Sequence, residues 1–116
     1  IVGAKTDHQF GPVVLLGIGG TAVEVYQDVV IRMAPLSGKD IDDMLRELKG
    51  GKLLFGYRGN ESINTQALIQ LLILFSDLLM EMSTYIELID LNPSVCSGKW
   101  CVIADARIIL NTIFSD

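Results

Sequence analysis

The chain has 116 residues, half of them hydrophobic, with a net charge of -5 and an isoelectric point near 4.7. That apolar content excludes an intrinsically disordered chain. The acidic balance argues against a nucleic-acid binder, which needs a basic surface to track phosphates. A nucleotide ligand stays open, because a bound metal ion can supply the local positive charge.

The longest purely apolar run, Leu71 to Phe75, falls far short of the ~18 residues that suggest a membrane span. No secretory or lipidation motif is present. No membrane is therefore expected, and a cytoplasmic location is. The two cysteines, Cys96 and Cys101, flank Ser-Gly-Lys-Trp and read as thiols beside a hairpin turn. A zinc site needs about four ligands, and the one histidine, His8, is far away in sequence. The chain opens in strand-like Ile1-Val2-Gly3-Ala4 without a methionine. Residues 1–116 are expected to be one subdomain cut from a larger protein.

In chain order, Val13 to Gly17 is a short apolar run, followed by the β-branched stretches Ala22 to Tyr26 and Val29 to Met33. The Gly17 to Thr21 segment between the first two suits a hairpin connection. Pro35-Leu36 stops the strands, and Ser37 then reads as an N-cap with Asp40 in the first helical turn. Ile41, Met44, Leu45 and Leu48 recur with helical spacing, and Gly50-Gly51 ends that helix. Leu53 to Tyr57 is short and apolar, with Arg58-Gly59-Asn60 as a turn. Asn64 can cap a longer, mostly buried helix over about Thr65 to Ser83, with Gln66, Gln70, Asp77 and Glu81 as its polar stripe. Tyr85 to Leu91 reads as a strand, 92–99 as a turn region, and Trp100 to Ile108 as a strand pairing back on it. Ile109 to Asp116 reads as a linker or frayed end. This order predicts an α+β fold, a mostly antiparallel sheet with two or more helices on one face.

Three groups of residues could carry chemistry. Asp90 and Asn92, two apart in a strand, point to the same face. A hairpin would bring Asp105 close, and three oxygen ligands suit Mg²⁺. Their bland alternative is capping of an Asn-Pro turn. Gly17-Ile18-Gly19-Gly20 either lets backbone approach a phosphate or simply turns a hairpin. Arg58 and Arg107 could meet phosphate or form structural ion pairs. Glu24 and His8 read as a solvent-facing strand residue and a loop histidine.

Taken together, Asp7 to Gly20, Val23 to Val29, Arg32 to Leu36, Gly56 to Gly59, Asp90-Leu91-Asn92-Pro93 and Ala104-Asp105-Ala106-Arg107 resemble one family. It is the C-terminal half of the ATP-grasp domain of ADP-forming acetyl-CoA (acyl-CoA) synthetases. The resemblance implies ligation of an acid to CoA with interconversion of ATP and ADP. It places Mg²⁺ on Asp90, Asn92 and Asp105, and nucleotide phosphate near Gly19, Gly20 and Arg107. It implies as partners the remaining ATP-grasp subdomain and a CoA-binding domain or subunit, and leaves a homo-oligomer open. This chain alone is expected to hold metal weakly and turn over nothing. The pattern departs from the family at Leu88, where glutamate is frequent, at His8, where proline is common, and at Ser94, where an aliphatic residue is usual. Two rival roles are a ligand-sensing region of a protein-lysine acetyltransferase and a purely structural interaction subdomain.

Overall fold

A computed structural model describes residues 1–18, 28–51, 62–92 and 94–111. The strands are β1 (Val2–Asp7), β2 (Gly11–Gly17), β3 (Val29–Met33), β4 (Ile86–Leu91), β5 (Ser94–Cys96), β6 (Cys101–Ile103) and β7 (Arg107–Leu110). The helices are α1 (Gly38–Glu47) and α2 (Thr65–Met82). Five strands form an antiparallel sheet in the order β3-β2-β1-β4-β7, and β5 and β6 form a separate hairpin. The α+β class expected from the sequence is the one found.

The tight β1–β2 connection follows from local chemistry. Asp7 accepts hydrogen bonds from the Gln9 and Phe10 backbone N–H groups (2.8 and 3.0 Å), and Gly11 takes a φ of 76° that only glycine adopts freely. His8 sits exposed at the tip of this turn.

Alternation then sorts each strand between two faces. Val30, Leu16, Val2 and Leu91 form one buried row across the sheet, and Val14, Ala4 and Ile89 another. A register shift between Ile86 and Leu88 keeps Ile86 buried with them. The helices cover this face, contributing Ile41, Met44, Leu45, Leu68, Leu72, Phe75 and Leu79 to one core. Each such side chain contributes about 1.5–3 kcal/mol by leaving water.

Helix α1 begins at a full capping box. The Ser37 side chain accepts from Asp40 N–H (3.1 Å), and the Asp40 carboxylate accepts from Ser37 N–H (2.8 Å). Arg32 of β3 pairs with Glu47 at its last turn. The Ala34–Pro35 peptide, where the chain leaves β3, is cis. The Leu36 N–H just beyond is buried and donates to the Ser76 hydroxyl of α2 at 2.8 Å.

Four expectations are corrected. Helix α2 is not mostly buried: Leu74, Leu78, Met80 and Met82 are exposed, because the sheet covers only one side of it. Its length and hydropathy would also suit a membrane span, yet Leu72 and Leu79 are packed fully inside the core. The strand foreseen over Trp100 to Ile108 is broken into β6 and β7 by residues 104–106, and the 92–99 turn region contains β5. Ile109 and Leu110, foreseen as linker, pair with Leu88 and Ile86 in the sheet. Cys96 and Cys101 are joined in a disulfide instead of standing as two thiols, because the hairpin sets them directly opposite with their Cα atoms 4.0 Å apart. The stretches Ala22 to Tyr26 and Leu53 to Tyr57, with Gly19, Gly20, Glu24 and Arg58, lie outside the described residues.

Replacing Ser76 by alanine leaves the buried Leu36 N–H without its acceptor. Chemical denaturation is expected to show a loss of about 1–3 kcal/mol. The Asp7 and Asp40 carboxyls are both held below their ordinary value of 3.8, in each case mainly by accepting backbone N–H bonds. What they contribute is present above that value and lost as pH falls through the lower folded-state values. An acid titration should therefore show these turns releasing only below pH 3.8.

Candidate functional site

The face of the sheet away from the helices carries two complete cross-strand rows. One runs Met33, Val13, Lys5, Leu88, Ile109, and the other runs Ile31, Leu15, Gly3, Asp90, Arg107. Directly opposed residues of an antiparallel pair share a face. Asp90 and Arg107 thus stand side by side at the β4–β7 end of their row.

The register continues past the end of this ladder. Stepping two residues from Asp90↔Arg107 sets Asn92 opposite Asp105, and the same steps lead on to Ser94↔Ile103 and Cys96↔Cys101. Strands β4–β5 and β6–β7 are therefore one long ribbon in constant register. Among the described residues, pairing stops at Asn92 and at 104–106, and the residue after Asn92 in the sequence is a proline, which has no N–H for a ladder bond. Of the three residues singled out as metal ligands, Asp90 stands on the open face in β4, Asn92 just past the end of that strand, and Asp105 between β6 and β7. Asn92 and Asp105 are exposed, and Asp90 is half-buried.

Among the described residues, the side chains of Asp90 and Asn92 form no hydrogen bond or salt bridge. Ser94, not either of these, donates to the backbone at the strand end, from its hydroxyl to the Leu91 carbonyl (3.0 Å). Asp105 accepts from the next N–H, that of Ala106 (2.9 Å), which leaves its second oxygen available. Arg107 forms no ion pair among the described residues. Burial lowers the pKa of the nearby Ile1 amino group, and the Asp90 carboxylate partly offsets this.

Two carboxylates and an amide oxygen suit a hard cation that keeps waters and phosphate in its remaining positions. Among the described residues there is no cluster of three or more acidic, histidine or cysteine side chains. Beside Asp90 and Arg107, a cavity of about 310 Å³ spreads over Gly3, Lys5, Val13, Leu15, Ile31 and Leu88.

The hairpin tip is pinned elsewhere. Ser94 and Cys96 line a smaller cavity on the helix side of the sheet, so the ribbon swings at its interruption. Its tip lands on the start of α2. Asn64 caps that helix through its side-chain oxygen (Ala67 N–H, 3.0 Å) and donates from its side-chain nitrogen to the Lys99 carbonyl (2.8 Å). Its own N–H donates to the Ser97 carbonyl.

A family model described as an ATP-grasp domain matches residues 1–110. The chain belongs to the ATP-grasp family. It is 38% identical over 112 residues to the β subunit of acetate–CoA ligase [ADP-forming] II of Pyrococcus furiosus, covering 95% of this chain and 48% of that one. It is 41% identical over 110 residues to acetate–CoA ligase [ADP-forming] II of Archaeoglobus fulgidus, covering 95% of this chain and 16% of the relative. Acetyl-coenzyme A synthetase 1 of Ca. Korarchaeum cryptofilum, solved in complex with coenzyme A and Mg-AMPPCP, superposes with a TM-score of 0.88 at 42% identity. The match covers 95% of this chain and 51% of that one. This ATP-grasp chain thus spans about half the length of the Pyrococcus and Korarchaeum relatives. Those relatives are ligases, so the regulatory acetyltransferase reading gains no support from them.

Reading for motifs found the acids and the amide but missed two features of the site. The open-face positions of β1, Gly3 and Lys5, were signalled only by strand alternation. The double role of Asn64 had no signal beyond its capping position. Asn64→Ala is expected to cost about 1 kcal/mol through the lost cap. It should also speed amide exchange at Ser97 and Trp100, which a cap serving the helix alone would leave unchanged.

Proposed function

We propose that this chain is the Mg-nucleotide-binding half of an ATP-grasp domain in an acyl-CoA synthetase. The parent enzyme would interconvert acyl-CoA, ADP and phosphate with the acid, CoA and ATP. The reading rests most on the open face of the sheet, where Asp90 and Arg107 stand opposed beside a cavity of nucleotide-compatible size, with Asn92 and Asp105 just beyond the strand ends. The similarity to ligases, one of them solved with Mg-AMPPCP, supports it.

In this reading Asp90, Asn92 and Asp105 hold Mg²⁺, which would neutralise phosphate charge and align the transferred group. The remaining work falls to this chain's own groups. Arg107 presents a fixed cationic fork to a phosphate. The apolar side chains of β2, β3 and β4 exclude water beneath the nucleoside. Phosphoryl transfer depends mostly on such positioning and electrostatics. Backbone N–H groups at Gly19 and Gly20 are proposed to meet phosphate as well. The other half of the domain and a CoA-binding domain or subunit would complete the active site.

In the full-length protein, Asp105→Ala and Asn92→Ala should each weaken Mg-ADP binding by at least the roughly 10–100-fold that loss of a supporting group costs a metal site. Isothermal titration measures this, and unchanged affinity in both variants would overturn the assignment.

A further inference from the structure

Gly3 is placed where a strand has least use for glycine. It lies inside β1, the central strand, paired with Leu15 on one side and Asp90 on the other. Glycine there weakens a strand, through lost entropy and a missing side chain. Its backbone does not require it, since the one described glycine with a positive φ is Gly11. Packing does not require it either. A Cβ added at Gly3 would meet only the Ile89 carbonyl oxygen, at an ordinary 3.4 Å. Gly17 contrasts with it, since a Cβ there would press to 2.9 Å against Val29. Nothing in the described chain explains the glycine.

The missing side chain opens onto the cavity. Along its row the side chains read Ile31, Leu15, none, Asp90, Arg107. Strands are spaced about 4.8 Å apart, so the apolar end on β2 and the charged end on β4 stand about 10 Å apart across the bare position on β1. A nucleotide has the same order of parts: a flat apolar base, a sugar and a charged phosphate tail.

We propose that Gly3 is the floor of the nucleotide site, kept bare so that the sugar can lie against the β1 backbone. The base then rests on Leu15 and Ile31 while the phosphates reach the corner formed by Asp90 and Arg107. This rests on the Mg-nucleotide reading and adds to it a residue that decides whether the nucleoside fits.

The test is Gly3→Val in the full-length protein, titrated with Mg-ADP and separately with Mg-tripolyphosphate, which lacks sugar and base. Thermal unfolding should occur at the same or a higher temperature, because valine favours a strand. Mg-ADP should bind about tenfold or more weakly while tripolyphosphate binding stays at the parent level. If the unmodified protein binds no Mg-ADP, the nucleotide reading itself fails. If it does bind and the folded variant binds equally well, or loses both ligands together, the role of Gly3 is overturned. Should the valine chain not fold, Gly3→Ser decides: a several-fold loss for Mg-ADP alone supports the floor, and unchanged affinity refutes it.

Discussion

A slip of one residue between β1 and its neighbours would exchange the two faces of the sheet. Val2 and Ala4 would turn outward, and Gly3 and Lys5 would enter the core. The register is held from both sides. On one face Val2, Leu16, Val14 and Ile89 bury against α1 and α2. At the end of the row, Ile1 and Gly17 exchange a pair of main-chain bonds (2.6 and 2.9 Å). Everything on the opposite face inherits its position from that lock. Asp90 reaches its corner because it sits between two buried residues, Ile89 and Leu91, that cannot face the other way.

The ribbon of β4 to β7 adds a second constraint. A continuous ladder would tie Asn92 and Asp105 into regular pairing. The interruption frees them while constant register on both sides keeps them opposite each other. The clamp of Asn64 on the hairpin tip fixes the far end. Oxygen donors on irregular backbone are thereby supported from a sheet on one side and a helix cap on the other.

Much of this was legible in the residues, and the reasons are local. Ser37 with Asp40, and Asn64 with its helix, are short-range capping signals that tertiary packing did not override. Alternation put Asp90 on the open face between buried Ile89 and Leu91, whereas Asn92 falls just past the end of that strand. Features set by long-range geometry were not legible. How much of α2 the sheet covers depends on the sheet's width, which no helical periodicity records. The break between β6 and β7 falls beside the end of β4 at Leu91, a relation visible only once the register is known. The disulfide likewise depends on Cys96 and Cys101 being opposed. Family resemblance singled out Asp90, Asn92 and Asp105, whereas alternation along β1 would have had to be carried across three strands to mark Gly3.

The division of labour between the two faces bears on inheritance. The core residues lie under the helices, and the side chains of Asp90, Asn92 and Arg107 form no hydrogen bond or salt bridge with described residues. Selection for a stable fold and selection for ligand binding therefore act on different positions. A descendant that no longer needed its ligand could lose the corner residue by residue and stay folded, since sites without structural contacts drift at little cost in stability. Substitution at this corner is thus expected to cost far less stability than substitution under the helices.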